Sequence, residues 1–174
     1  METHSENHHS RSVGDSGNPR CNRVCGITRT ITLIVIHCTA TREDVDFTQK
    51  DLLRCHRAQG MKMVGYHFYI RKDGFIWTTR PMDMIGAHAR GFNEQSIGIA
   101  YEGGLNPQGR PSDTRTRQQK HSMRVLIRTL KKDFPNARYT LEPTGALCSF
   151  YAEEGGLMIA MEGAFNQVNN VNDI

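Results

Sequence analysis

The sequence predicts one α/β domain built on a single mixed central β-sheet flanked by helices, and three observations lead there. Residues 31–36 form a nearly unbroken β-branched run, which is how a strand buried on both faces reads. Residues 116–133 place Met123, Leu126, Ile127 and Leu130 at three- and four-residue steps with basic residues between them, the pattern of a long amphipathic helix. Strand-like and helix-like stretches alternate between the two, as they do in a mixed α/β layer. A length of 174 residues suits one domain better than two.

Taken in order, residues 1–28 lack apolar periodicity and read as a disordered leader, so the domain is expected over 29–140. Within the leader, Cys21 and Cys25 with His8 and His9 upstream match no strong zinc spacing. The strand at 31–36 runs into the polar string His37-Cys38-Thr39-Ala40-Thr41, and polar groups at the end of a buried strand mark a site. Asp44 to Asp46 supply turn and cap chemistry ahead of a helix over 48–59, with Gly60 as its stop. A second strand is expected over 64–70. Lys72-Asp73-Gly74 is a hairpin signal, and 75–78 is the returning strand. Residues 96–101 make a further strand, followed by a loop rich in Gly, Pro and Asn over 103–111. Phe134-Pro135 closes the long helix. Residues 141–174 change character and form a divergent tail, with weak apolar clusters at 147–151 and 157–161 that support a short helix at most.

Charge is uneven along this order. Residues 29–140 carry a net charge of +9 and residues 141–174 a net charge of −5, within a total of +4. A basic middle suits a polyanionic partner, although solvation alone produces such an excess. Lys and Arg do not alternate with exposed aromatics and no recognition motif occurs, which argues against nucleic acid. No apolar run approaches the roughly 18 residues of a membrane span, and no secretory signal is visible. Five scattered cysteines do not form a disulfide framework, which points to a reducing compartment.

Five of the eight histidines lie within the expected domain. His37 follows a buried strand, where α/β sheets present ligands and catalytic groups. His67 sits inside a strand and reads as a hydrogen-bonded core residue. His88 lies in Gly86-Ala87-His88-Ala89-Arg90-Gly91-Phe92-Asn93, where small residues allow close approach of a ligand, so binding and structure are equally open. His56 and His121 read as surface-facing helical residues. Tyr66 is either a core aromatic or a donor to an oxyanion.

The order of these segments says more than any one of them. Ile34-Val35-Ile36-His37-Cys38-Thr39-Ala40-Thr41, Gln59-Gly60, Gly65-Tyr66-His67-Phe68, Lys72-Asp73-Gly74, the His88 segment, Ser96-Ile97-Gly98-Ile99 and Gly103-Gly104 together resemble the zinc-dependent N-acetylmuramoyl-L-alanine amidases, the family of phage lysozyme-type amidases and peptidoglycan-recognition proteins. The resemblance runs from about Thr30 to Tyr139. It implies the amidase and peptidoglycan-recognition fold, peptidoglycan or muropeptides as partner, and hydrolysis of the amide joining N-acetylmuramic acid to the first L-alanine of the stem peptide. It implies His37 as a zinc ligand, Tyr66 as the catalytic group beside the metal, and His88 and Asn93 as residues of the muramyl-peptide groove. Zinc in such a site lowers the pKa of a bound water toward about 7 and polarises the scissile carbonyl. A monomer that acts on the cell wall after release from the cytoplasm, as in phage lysis, follows from the same resemblance.

The tail departs from the family pattern. Members follow the long helix with a strand leading to a Gly-His-Arg-Asp type of motif and later a Cys-Pro-x-Phe-Asp motif, which supply the second and third ligands. Here no histidine follows His121, and Cys148 lacks the Pro and Asp context. A catalytic zinc typically takes three protein ligands and one open position, so impaired hydrolysis is expected. Either a reading-frame change or truncation makes the tail foreign, or the protein is a catalytically inactive muropeptide-binding module.

Overall fold

The computed structural model describes residues 26–141 and the backbone of residues 166–167. Nearly all of the leader, with His8, His9, Cys21 and Cys25, lies outside these residues, as do Cys148 and the apolar clusters at 147–151 and 157–161.

Ten elements follow in chain order: β1 (Leu33–Cys38), β2 (Thr41–Arg42), α1 (Gln49–Ala58), β3 (Phe68–Ile70), β4 (Ile76–Thr78), β5 (Ser96–Tyr101), β6 (Gly104–Leu105), α2 (Arg117–Asp133), β7 (Arg138–Leu141) and β8 (Asn166–Gln167). Six strands form one sheet in the order β4-β3-β5-β1-β7-β8. The pairs β3–β5, β5–β1 and β1–β7 are parallel, while the edge pairs β4–β3 and β7–β8 are antiparallel. That is the mixed sheet the sequence predicts. A separate parallel pair joins β2 to β6, and β6 lies inside the loop expected over 103–111.

Side chains alternate across a strand, and β1 and β5 use the alternation to separate core from site. Ile34, Ile36, Cys38, Ile97, Ile99 and Tyr101 point to one face and pack against Met123, Leu126, Ile127 and Leu130 of α2. Ile97, Ile99, Met123 and Ile127 are fully buried, and each such side chain contributes about 1.5–3 kcal/mol over its exposed state. The opposite face carries Tyr69 and Ala100 under Leu52 of α1 and Val64, with His37 in the same row. One helix thus covers each face.

Both helices start on capping boxes, in which the cap hydroxyl accepts from the third residue's N–H and that residue's side chain accepts from the cap N–H. In α1 the pair is Thr48 and Asp51; in α2 it is Thr116 and Gln119. Gln119 is fully buried, and its amide also donates to the carbonyls of Ile70 (3.2 Å) and Glu102 (2.9 Å), tying α2 to the ends of β3 and β5. The turn at 72–74 forms as expected, with Gly74 at φ +85° and its N–H donating to Arg71 O (2.8 Å).

Three expectations are corrected. The first strand reaches Cys38, so His37 lies within it and not after it. The strand expected over 64–70 shortens to Phe68–Ile70, because the carbonyls of Val64 and Tyr66 accept Arg80 Nε (2.8 Å) and Thr79 Oγ1 (2.8 Å), not ladder N–H groups. No strand is expected in 141–174, yet residues 166–167 pair antiparallel with Thr140 and Leu141; the short helix expected from the clusters at 147–151 and 157–161 lies outside the described residues.

Glu102 has no exposed surface, and its carboxylate accepts from Phe47 N (2.7 Å), Lys72 N (3.0 Å) and Arg71 Nε (2.7 Å). Deleting one partner of a buried ion pair strands the other, at about 3–5 kcal/mol. Glu102→Ala is therefore expected to destabilise the fold by about that amount in urea unfolding, and Glu102→Gln by less.

Candidate active site

The site lies on the face of the sheet away from α2, and it begins with room. Along β5 the residues facing it are Ser96, Gly98 and Ala100, all small, while the large Ile97, Ile99 and Tyr101 face the other way. A Cβ on Gly98 would fall 2.6 Å from the His88 ring, and one on Gly86 would fall 2.5 Å from the same ring and 2.9 Å from His67. Missing side chains at these two glycines let imidazoles lie directly on the backbone.

Three predicted residues meet on this floor. The ring centres of His37 and Tyr66 are 5.0 Å apart, those of His37 and His88 5.0 Å, and those of Tyr66 and His88 6.2 Å. His37 Nε2 and His88 Nδ1 are 3.0 Å apart and share a hydrogen, and His88 Nε2 lies 3.3 Å from Ser96 Oγ. His37 is fully buried, whereas Tyr66 and His88 are half-buried. Asn93 belongs to the same loop as His88, and its Oδ1 accepts the N–H groups of His88 (2.9 Å) and Ala89 (2.8 Å). The rest of the polar string after His37 goes elsewhere. Cys38 turns into the α2 core, and the Thr39 and Thr41 hydroxyls receive the Gly103 N–H at 3.1 and 3.2 Å.

Two further histidines support this arrangement. His67 is fully buried, as its core reading requires, and its Nδ1 accepts the Gly98 N–H (3.0 Å). The ring proton therefore sits on Nε2, which donates to Met84 O (3.0 Å). His56, expected on the surface of its helix, is instead only 4% exposed. Its Nδ1 accepts the Gly65 N–H (3.0 Å), and its ring centre lies 5.4 Å from that of Tyr66. A histidine on the apolar side of α1, near Leu52, was the available signal. His121 is exposed, as expected.

Arg29 holds the loop in place. Its guanidinium donates to the carbonyls of Met82 (2.9 Å), Asn93 (3.1 Å), Glu94 (2.9 Å) and Ser96 (2.7 Å), and it lies 3.0 Å from His67 Nε2. Burial, reinforced by nearby cations, keeps His56, His67 and His88 neutral. Burial pushes His67 down to about 4, with Arg29 and Arg80 adding to the effect; burial and then Arg80 push His56 to about 4. His88 is held well below the ordinary histidine range by burial first and then by His37, His67, Arg29 and Arg80.

Comparisons to known proteins bear on the chain as a whole. The profile of the family described as N-acetylmuramoyl-L-alanine amidase matches residues 27–148. The chain belongs to the N-acetylmuramoyl-L-alanine amidase family. The endolysin of Enterobacteria phage K11 is 34% identical over 102 residues, covering 59% of this chain and 68% of that protein. The Escherichia phage T7 endolysin is 35% identical over 104 residues, covering 60% and 69%. Among solved structures, the N-acetylmuramoyl-L-alanine amidase LysC from Clostridium intestinale URNW superposes with a TM-score of 0.57 at 34% identity, covering 65% of this chain and 70% of that one.

Zinc, which the family resemblance implies, does not find a full set of ligands among the described residues of this amidase-family chain. No group of three or more His, Cys, Asp or Glu side chains is placed there to hold a metal ion. The two imidazole nitrogens that do converge are spaced for a hydrogen bond to each other.

The two strongly lowered imidazoles set a pH dependence. As pH falls below the ordinary value of 6.5, the unfolded chain takes up protons that folded His56 and His67 refuse until about 4. Stability is therefore expected to be flat in this respect above about pH 6.5, to fall between there and about pH 4, and to lose no more from these groups below that. Urea midpoints measured across this range check it; a midpoint that rises on acidification would contradict the buried neutral rings.

Proposed function

We propose that this chain acts on peptidoglycan as an amidase of the endolysin kind, cutting the amide between N-acetylmuramic acid and L-alanine, with hydrolysis impaired in this sequence. The observation that carries the reading is the meeting of His37, Tyr66 and His88 from three separate segments, with ring centres 5.0–6.2 Å apart, inside the span that matches the family.

In this reading the scissile amide lies against Tyr66, whose phenol donates toward the oxygen where charge develops. Neutral His88 orients His37 through their shared hydrogen bond. His88 and Asn93 belong to the muramyl-peptide groove, and Asn93 contributes by shaping the turn that carries His88. The protein works as a monomer at the wall, reached after release from the cytoplasm, and the +9 charge of residues 29–140 suits an anionic wall polymer. No helix among the described residues is long and apolar enough to cross a membrane.

Zinc remains the cofactor this reading takes from the family, with His37 as the ligand. Completing a site requires donors from outside the described residues; of these, 142–174 hold Cys148 and several carboxylates but no histidine. One observation favours a second reading, a muropeptide-binding module without hydrolysis: His37 Nε2 is already engaged by His88 Nδ1, so the pair is stable without an ion.

Insoluble peptidoglycan treated with the purified chain, with new amino termini identified by dinitrophenylation, separates these readings. Slow appearance of alanine termini is expected, with zinc well below one equivalent per chain and no product from His37→Ala. Tyr66→Phe is expected to lower the rate by about 10²-fold. New reducing sugar ends in place of alanine termini would overturn the amidase reading, and retention on the wall with neither product would assign the binding module.

A further inference from the structure

His56 is a buried imidazole with no part in the chemistry described so far, yet it touches that chemistry twice. Its ring lies 5.4 Å from Tyr66, tilted by 46°, while Tyr66 lies 5.0 Å from His37 at 49°. Its Nδ1 accepts the N–H of Gly65, the residue immediately before Tyr66. We propose that His56 is a positioning residue for Tyr66, fixing the phenol against the His37–His88 pair through its ring and through the Gly65 backbone together. The proposal rests on the amidase reading only for what Tyr66 does there.

Each contact is directional. Accepting from Gly65 leaves the ring hydrogen on Nε2, so a single tautomer is selected. Gly65 in turn accepts the Ala87 N–H at its carbonyl (3.0 Å), and a Cβ at this position would fall 2.2 Å from Ala87 O. The sequence of contacts His56, Gly65, Ala87 therefore links α1 to the residue preceding His88. His56 is itself anchored, because its helix is capped by Thr48 and Asp51 and its own carbonyl accepts the Met61 N–H (3.0 Å). Three functional elements converge on one ring: the tyrosine, the loop of His88 and the helix behind them. The ring also stays neutral through ordinary working pH, since burial and the Arg80 cation hold it near 4, so no second cation is placed beside the phenol.

Three substitutions separate the ring from the acceptor. His56→Phe keeps an aromatic ring and loses the acceptor, His56→Asn keeps an acceptor at similar reach and loses the ring, and His56→Leu loses both. With a soluble muramyl peptide as substrate, His56→Leu is expected to lower kcat by about tenfold with KM nearly unchanged, and the Asn and Phe variants to recover part of that loss. In a Tyr66→Phe background the same Leu substitution should cost less than about twofold, because a residue acting through Tyr66 has nothing left to position. Full multiplication of the two losses would overturn the proposal.

A second measurement does not require turnover. With carbon-13-labelled tyrosine, the Tyr66 ring resonances, identified by their loss in Tyr66→Phe, are expected to move in His56→Leu and less in His56→Phe. Should the Leu variant not fold, the Asn variant is expected to show the ring shift alone. Unmoved Tyr66 resonances in a folded variant would overturn the positioning role. Absence of stem-peptide release by the wild-type chain would instead sink the amidase reading, and the tyrosine spectrum would still decide this one.

Discussion

The site depends on a strand that gives up side chains on one face. Gly98 sits in the row of Val35 in β1, and its bare Cα is what lets the His88 ring lie on the sheet within hydrogen-bonding reach of His37. Any larger residue would lift that ring and break its contact with both His37 and Ser96. The cost of a featureless strand face is met on the other side, where Ile97 and Ile99 are fully buried against α2. One six-residue segment thus performs two tasks with its two faces. The division is possible because the side-chain period of a strand is two.

Given that floor, the loop over 82–96 must be held down, and a single cation does it. Among the described residues, Arg29 places its N–H groups on four carbonyls of this loop and strand and on no carboxylate. Carbonyls suit this role, because they satisfy the guanidinium without neutralising it. The remaining positive charge, with that of Arg80, then disfavours protonation of His67 and His88. Mechanical support and electrostatic tuning come from the same side chain. Neutral imidazoles retain a lone pair, and the lone pair is what lets His67 receive Gly98 N–H and His56 receive Gly65 N–H.

Much of this was legible in the residues. The β-branched run, the strand expected over 96–101, the hairpin at 72–74 and the apolar spacing of α2 are local signals, and each became the element it describes. His37, Tyr66 and His88 could be singled out because they stand at a strand end, beside a glycine and among small residues. What could not be read was set by distant partners. Residues 64–67 look like a strand, but Arg80 and Thr79 take their carbonyls from positions 16 and 13 residues away. His56 looks like surface because its neighbours Arg54 and Arg57 are polar; Leu52 one turn earlier hints at the buried side of α1, but the Gly65 and Tyr66 contacts that receive the ring come from further along the chain. Arg29 carried no sequence signal at all, since its partners are backbone atoms 53–67 residues on.

The same topology explains how the cluster around His37 can stand independently of the chain that follows β7. His37, Tyr66, His88, Asn93 and their supports Arg29, His56, His67 and Gly98 all precede β6, so the groove is assembled from the chain before it reaches α2. Strand β7 arrives later, parallel to β1, and its last pair is Leu141 with Ile36, one step short of the row of His37. Side chains added to His37 from that side must therefore come from the chain that follows Leu141. There the sequence begins with Glu142 and offers no histidine. A change confined to residues after β7 leaves Gly98, Tyr66 and the His37–His88 contact in place, because every residue that builds them precedes β7.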